Sequence, residues 1–394
     1  MLVRKISPEE HIVVSKMQTI AFSNKGDFDL AETNIEKFVE GYESAIGVFD
    51  AKNKICSSVY LIPYEMRFNG KTIRMAGIGG VATLPEERNK GYIKELFRYC
   101  FKEMYKNDQI FSVLYPFSNV YYRQFGYEWC IKNQSITIPL KSFSHFNKAG
   151  EVKLYLNNDD KGIIKEIYNK FIENKNLSIV RNEKQWDKML NKDPYKTMQY
   201  TYIYYNNKGK PMSYIIFETI KDIELNIKVV ELVWLDYESL TGILGFVKCF
   251  HPQHEFFICS IPEFINIHLL FPEPYDIKSE LLISGMCRIV NLPKVFKLLS
   301  FPEEKGQLAI KVKDSFIESN NGTFLLTWGS KKIEVVKKEC APDLYCTIEV
   351  LTQMIIGCAK LDDFIGSNNL QVYSKKSLLA LVFHKKQVFI NDFF

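Results

Sequence analysis

Between residues 55 and 140 the spacing of apolar positions changes several times, and each change marks an element. Ser57 to Arg67 alternates apolar and polar side chains, the period of a half-buried strand. Asn69-Gly70 follows, a pair suited to the left-handed backbone of a tight hairpin, and Thr72 to Thr83 returns as a second strand. Gly77, Gly79 and Gly80 cluster in that strand, which predicts a bulge or the close approach of another backbone. The period then lengthens. Ile93, Leu96, Phe97, Cys100, Phe101 and Met104 form the single apolar stripe of a helix. Ile110 to Phe117 reads as a buried strand closed by Pro116, Ser118 to Gly126 as a short helix stopped by glycine, and Trp129 to Leu140 as a further strand.

Between the second strand and the long helix lies Leu84-Pro-Glu-Glu-Arg-Asn-Lys-Gly91. A helix start carries unpaired N–H groups and a partial positive charge, so it is suited to an anion. Arg88 adds a cation, and Gly91 lacks the Cβ that would hold a phosphate off the backbone. The Arg-x-x-Gly spacing also occurs at Arg67/Gly70, Arg74/Gly77 and Arg123/Gly126. Only the Arg88 copy stands between an apolar strand and an amphipathic helix.

A shift of about 150 residues lays the chain over itself. Met212 to Glu218 and Lys228 to Leu235 repeat the hairpin, a helix through Phe246 and Phe250 follows, and Glu255 to Ile261 is the next strand. On this overlay Gly242 matches Gly91 and Ser239 replaces Arg88, so the second copy offers a pyrophosphate no cation. The polar stretch from Lys141 to Asp160 separates the copies, and a second border is expected at Ser284-Gly285. Beyond it, strands are predicted at Gln307 to Val312, Gly322 to Trp328 and Lys331 to Val336, and helices at Ile348 to Cys358 and Ser377 to Phe383.

This order, with Val81 to Ile93 and Tyr122-Arg-Gln-Phe-Gly-Tyr127, resembles the GNAT acyl-CoA N-acetyltransferases and, more closely, their enhanced intracellular survival (Eis) family. Ile93 departs from the Gly or Ala that usually ends the coenzyme turn, but suits the Eis branch. The resemblance implies a mixed α/β (α+β) chain of tandem GNAT folds and a sterol-carrier-protein-like domain. Residues 1–145 would be catalytic, 146–284 a degenerate copy, and 285–394 the sterol-carrier-like unit. It also implies acetyl-CoA as co-substrate, held by Val81, Ala82, Thr83, Arg88, Asn89, Lys90, Gly91, Tyr92, Ile93 and Ser118. Tyr122 would be the general acid to the coenzyme sulfur, with Tyr121 its rival if the register slips by one. A phenol, with an ordinary pKa of about 10, can give up a proton without being ionised at neutral pH.

The same resemblance makes the C-terminal carboxylate, here that of Phe394, the general base. The ending Val388-Phe-Ile-Asn-Asp-Phe-Phe394 is apolar, unlike a free tail. Acceptors would be aminoglycosides or similar multi-amine molecules, met by Phe22, Asp27 and Asp392, with Phe28, Asp29 and Glu32 as further candidates. Two alternatives stand beside this reading: a lysine side chain of a peptide or protein as acceptor, or a non-enzymatic carrier of an apolar ligand in the third domain. The carrier reading loses its site if residues 389–394 plug that domain or leave it for the first. The resemblance further implies a homo-hexamer.

Composition narrows the partners. Net charge is only +5 and the lysines are scattered, so no nucleic acid is expected. The nine cysteines are odd in number and form no Cys-x-x-Cys pair, the usage of reduced core thiols, and no metal is expected. The six histidines do not cluster. No run approaches 18 apolar residues and the N-terminus has no signal-like apolar core, so the expected location is cytoplasmic, with no membrane partner.

Overall fold

A computed structural model describes residues 1–25, 28, 44–147, 150–157, 159–221, 223–329 and 332–394. The first unit holds strands β1 (Leu2–Lys5), β2 (Ala45–Phe49), β3 (Ile55–Phe68), β4 (Lys71–Thr83), β5 (Phe111–Leu114) and β6 (Glu128–Pro139). Asn69 and Gly70, both at positive φ, close the β3–β4 hairpin. The helix Tyr92–Lys106 buries Leu96, Phe97, Cys100, Phe101 and Met104, and Ile93 is half-buried at its start. Those side chains pack with Ala76, Ile78, Leu114 and Tyr127, so the apolar stripe joins the helix to the middle of the sheet.

The second unit repeats the plan with β7 (Glu151–Leu154), β8 (Gln199–Tyr205), β9 (Pro211–Lys221), β10 (Leu225–Trp234), β11 (Phe256–Pro262) and β12 (Lys278–Ile289). Its helix Tyr237–Val247 follows β10 as Tyr92–Lys106 follows β4. The two units share one twelve-stranded sheet, in the order β1-β2-β3-β4-β5-β12-β6-β11-β10-β9-β8-β7. The centre is an exchange: β12 lies antiparallel between β5 and β6, while β6 lies antiparallel between β12 and β11. Each unit thus lends its last strand to the other. The expected border at Ser284-Gly285 falls inside β12. The strand bulges at Gly285 instead of ending there, because Met286 to Ile289 must still pair with β5.

The third unit begins at the helix Leu292–Phe296 and carries β13 (Gly306–Lys313), β14 (Gly322–Gly329), β15 (Lys332–Lys337), β16 (Leu344–Thr347) and β17 (Leu370–Val372), in the order β15-β14-β13-β16-β17. The helix Ile348–Ile356 is buried from end to end between this sheet and the shared one, and its Gln353 amide donates to the Trp129 carbonyl at 2.8 Å. No helix among the described residues is long and apolar enough to cross a membrane.

Candidate active site

β4 outruns its neighbour. Met75 to Ile78 pair with Phe111 to Leu114 of β5 in parallel, and there that pairing stops. Gly79 to Thr83 keep β3 on one side, while their opposite edge pairs with no strand among the described residues. At the same point the strand bulges. Tyr60 pairs with Gly79 but Ser58 with Ala82, so Gly80 and Val81 together face Val59. Gly80 takes a φ of +55°, and its carbonyl accepts from the Gln18 amide at 3.3 Å. Past the bulge Ser57 donates to the Ala82 carbonyl at 2.8 Å and its oxygen lies 2.8 Å from the Thr83 hydroxyl, which holds the strand end in place.

Seven residues, 84 to 90, then carry the chain to the helix. Glu87 is tied to Lys90 at 2.8 Å and to Lys54 at 3.6 Å. Arg88 is exposed and forms no ion pair among the described residues. Asn89 stands at φ +64° and Gly91, the N-cap, at φ +81°. Gly91 has no side chain to accept the first helical N–H groups, and a Cβ there would meet nothing within 4 Å. The turn is therefore an uncapped helix start facing open space, with exposed Arg88 and Lys90 beside it.

Tyr122 lies in the helix Asn119–Arg123 that follows β5, in the apolar cluster that also holds Ala76 and Ile78 of β4 and has Val81 packed against it. Ser118 caps that helix, accepting from the Tyr121 N–H at 3.3 Å. Its far end is fixed by the buried guanidinium of Arg288, which donates to the Phe125 carbonyl and pairs with Asp314 of the third unit. The Tyr122 ring is buried against Phe97 and Phe117, and its hydroxyl makes no hydrogen bond among the described residues. Burial, with a smaller contribution from Tyr121, pushes its pKa above the ordinary value for a phenol, so it stays protonated at neutral pH.

The C-terminal segment leaves the third unit and reaches β4 of the first. Phe389 donates to the Asn176 carbonyl at 3.0 Å, and the Phe389 carbonyl accepts from Ser178 at 3.0 Å. The Asn391 amide donates to the Val230 carbonyl at 3.0 Å and to Glu231 at 3.1 Å. Arg181 donates to both Asp392 oxygens, at 2.8 and 3.2 Å, and Tyr115 to the Asp392 carbonyl at 2.7 Å. The Phe394 ring then lies tilted against Tyr64 and edge-on to Tyr115, with centroids 4.9 and 5.4 Å away. The glycines of β4 make room for it. A Cβ at Gly77 would come within 2.7 Å of the Phe394 ring, and one at Gly79 within 3.2 Å of its terminal carboxyl carbon. The close backbone approach that the glycine cluster predicts is thus the chain's own end.

The other candidates lie as follows. Val81, Ala82 and Thr83 form the free strand edge, and Asn89, Lys90, Gly91, Tyr92 and Ile93 form the turn and helix start. Phe22 ends the helix His11–Phe22, half exposed, one turn after the Gln18 that touches the bulge. Asp27, Asp29 and Glu32 lie outside the described residues. Asp392 stands two residues before the terminus with its carboxylate held by Arg181, and burial raises its pKa against the pull of that guanidinium.

Sequence reasoning passed over Arg181, Glu231 and Tyr115. A signal existed for Glu231, a lone charge in the apolar run Val229-Val-Glu-Leu-Val-Trp234. Arg181 is one of only eight arginines, and its position shows no pattern.

The comparisons agree with this layout. Residues 2–130 match the acetyltransferase (GNAT) domain, residues 177–289 match a second acetyltransferase (GNAT) domain, and residues 292–391 match the sterol carrier protein domain. A conserved protein of unknown function from Enterococcus faecalis V583, described as a probable N-acyltransferase, superposes with a TM-score of 0.89 at 24% identity, over 100% of this chain and 99% of its own. A GCN5-related N-acetyltransferase from Anabaena variabilis ATCC 29413 gives 0.87 at 22%, and Eis1 from Mycobacterium abscessus 0.83 at 15%, both over the whole of each chain. At such identities the likeness is one of fold. No curated protein sequence matches.

Proposed function

The chain belongs to the GNAT acetyltransferases, in the Eis-like arrangement of two GNAT domains and a sterol-carrier domain, and on that premise we propose that its first domain transfers acetyl groups from acetyl-CoA to amines of multi-amine small molecules such as aminoglycosides. The observation that carries this reading is the Phe394 carboxyl group against Gly79, on the free edge of β4 that leads to the uncapped turn at Gly91.

Acetyl-CoA supplies an activated thioester. The N–H groups of Val81 and Thr83 on the unpaired strand edge align the pantetheine arm and polarise the thioester carbonyl. The backbone donors from Asn89 to Ile93, with Arg88, take the pyrophosphate, and Ser118 supports the helix that carries Tyr122. As the amine nitrogen bonds to the carbonyl carbon, the Phe394 carboxylate accepts its proton. As the carbon–sulfur bond breaks, the Tyr122 hydroxyl protonates the leaving thiolate. On this reading the tail carries the base and the helix Asn119–Arg123 the acid, and holding both against the substrates supplies the orientational share of the rate.

Tyr64, Tyr115 and Phe394 present aromatic faces beside that carboxylate, which suits a cationic amine before it loses its proton. The carrier alternative is disfavoured: the helix Ile348–Ile356 occupies the space between the third sheet and the shared one, and the tail departs for the first unit. A hexameric, cytoplasmic enzyme is the extension of this reading, supported by the Eis-like architecture, and light scattering tests the assembly.

The decisive experiment is a thiol-release assay with acetyl-CoA across aminoglycosides, lysine peptides and spermidine-like amines. Turnover on aminoglycosides should exceed that on lysine peptides. Deleting Phe394, or adding one residue after it, should lower kcat with little change in the acetyl-CoA KM. Full turnover in both variants would remove the carboxylate from the mechanism.

A further inference from the structure

We infer that the second GNAT domain, rather than being a spent copy, serves the reaction as a clamp that positions the terminal carboxylate, with Arg181 and Glu231 as its positioning residues. The inference rests on the reading of Phe394 as base. Its own observation is the path of the tail. The chain's last residues run between the matching strands of the two domains, β10 and β4, both of which bulge. The bulge in β10 falls at Val230, whose carbonyl takes the Asn391 amide. Next to it, Glu231 accepts from Asn391, from Tyr214 at 2.6 Å and from both end nitrogens of Arg181 at 2.8 and 2.6 Å.

Arg181 also binds Asp392 with two nitrogens, so one guanidinium joins the strand of the second domain to the residue two places before the terminus. Its side chain is fully buried, with the guanidinium carbon 4.2 and 4.9 Å from the ring centroids of Tyr168 and Trp186. Burial alone would raise the Glu231 carboxyl. The charge of Arg181, with hydrogen bonds from Arg181, Tyr214 and Asn391, holds it below the usual range. Bidentate pairing at both ends leaves Arg181 little rotational freedom. Tyr115 fixes the Asp392 carbonyl, and Phe394 then lies against Tyr64, Tyr115, Gly77 and Gly79.

Asp392→Asn keeps the shape and removes the charge, Asn391→Ala removes the bond to the bulge, and Arg181→Lys keeps the charge without the fork. Each is expected to lower kcat by about 10- to 100-fold, the scale of a misplacement near 1 Å, with the acetyl-CoA KM unchanged within about twofold. In a chain lacking Phe394, Asp392→Asn should lower the residual turnover less than about twofold, since the positioned group is gone. Carboxypeptidase A should release Phe394 faster from each variant than from the parent, a readout independent of turnover. If deletion of Phe394 abolishes turnover but folded Asp392→Asn keeps wild-type kcat and carboxypeptidase resistance, the clamp is wrong and the base stands. An equal loss from Asp392→Asn with and without Phe394 also refutes the clamp. If deletion of Phe394 leaves turnover intact, both readings fall.

Discussion

The two GNAT domains share a bulged strand followed by a helix, and they part company in the few residues between. In the first, residues 84 to 90 separate β4 from the N-cap Gly91, which offers no side-chain acceptor. In the second, Leu235 alone separates β10 from the N-cap Asp236. The Asp236 carboxylate accepts from the Ser239 N–H at 2.8 Å, Ser239 donates back, and Glu238 adds negative charge to the same turn. Gly242 lies inside that helix against the Tyr204 ring, so it is a packing glycine and not the counterpart of Gly91. The second copy thus lacks the loop that would hold a phosphate, and a carboxylate fills the helix start that an anion would use. On the proposed reading, one plan is turned to two tasks: an open helix start and strand edge for a coenzyme, and a capped helix with a buried guanidinium for the chain's own end.

Three changes on the first domain probe its half of that comparison. The largest expected effect is that of Tyr122→Phe, which should lower kcat by about 10²- to 10⁴-fold, the usual worth of a positioned acid. Its hydroxyl has no hydrogen bond to lose among the described residues, so the melting temperature and acetyl-CoA KM should stay near those of the parent. A variant that keeps its kcat would pass the role to Tyr121. Arg88→Ala should raise the acetyl-CoA KM by about tenfold, the lower end of what a charge-assisted hydrogen bond contributes, because Arg88 is exposed. A change confined to kcat in steady-state assays would count against a phosphate role. Gly77→Ala places a methyl within 2.8 Å of both the Phe394 and Tyr64 rings. It should cost about 1–3 kcal/mol of stability as overpacking, or displace Phe394 and lower kcat. Denaturant melts and turnover measured together separate the two.

Much of this comparison was legible beforehand, and the rest was hidden for definite reasons. The apolar pattern located β3, β4, the helix Tyr92–Lys106 and β5 within a few residues, because the hairpin and helix carry turn residues at their ends and β5 is a mostly apolar run buried throughout. The strand exchange was not legible. β6 read as an ordinary strand, the border expected at Ser284-Gly285 cut β12 in two, and nothing in the pattern of either says which neighbour it joins. The overlay that matched Gly242 to Gly91 was misled by two glycines that serve different ends, one at positive φ and one close against a ring. The clamp was hidden because Arg181, Glu231 and Asp392 are up to 211 residues apart and meet only once the sheet is shared.

The smallest expected effect falls on the second domain and bears most directly on why it differs. Asp236→Ala removes the side chain that satisfies the Ser239 N–H and withdraws a negative charge from the helix start. Loss of such a cap should cost about 1 kcal/mol of stability, visible as a small fall in the denaturation midpoint. If the carboxylate alone keeps coenzyme out, the variant should gain a second acetyl-CoA site. If the missing loop matters as well, calorimetry should still count one acetyl-CoA per chain. The geometry favours one, because no residue of β10 or its single connecting Leu235 can take the place of the seven-residue turn and its Arg88. A stoichiometry of two would reduce the difference between the domains to a single side chain.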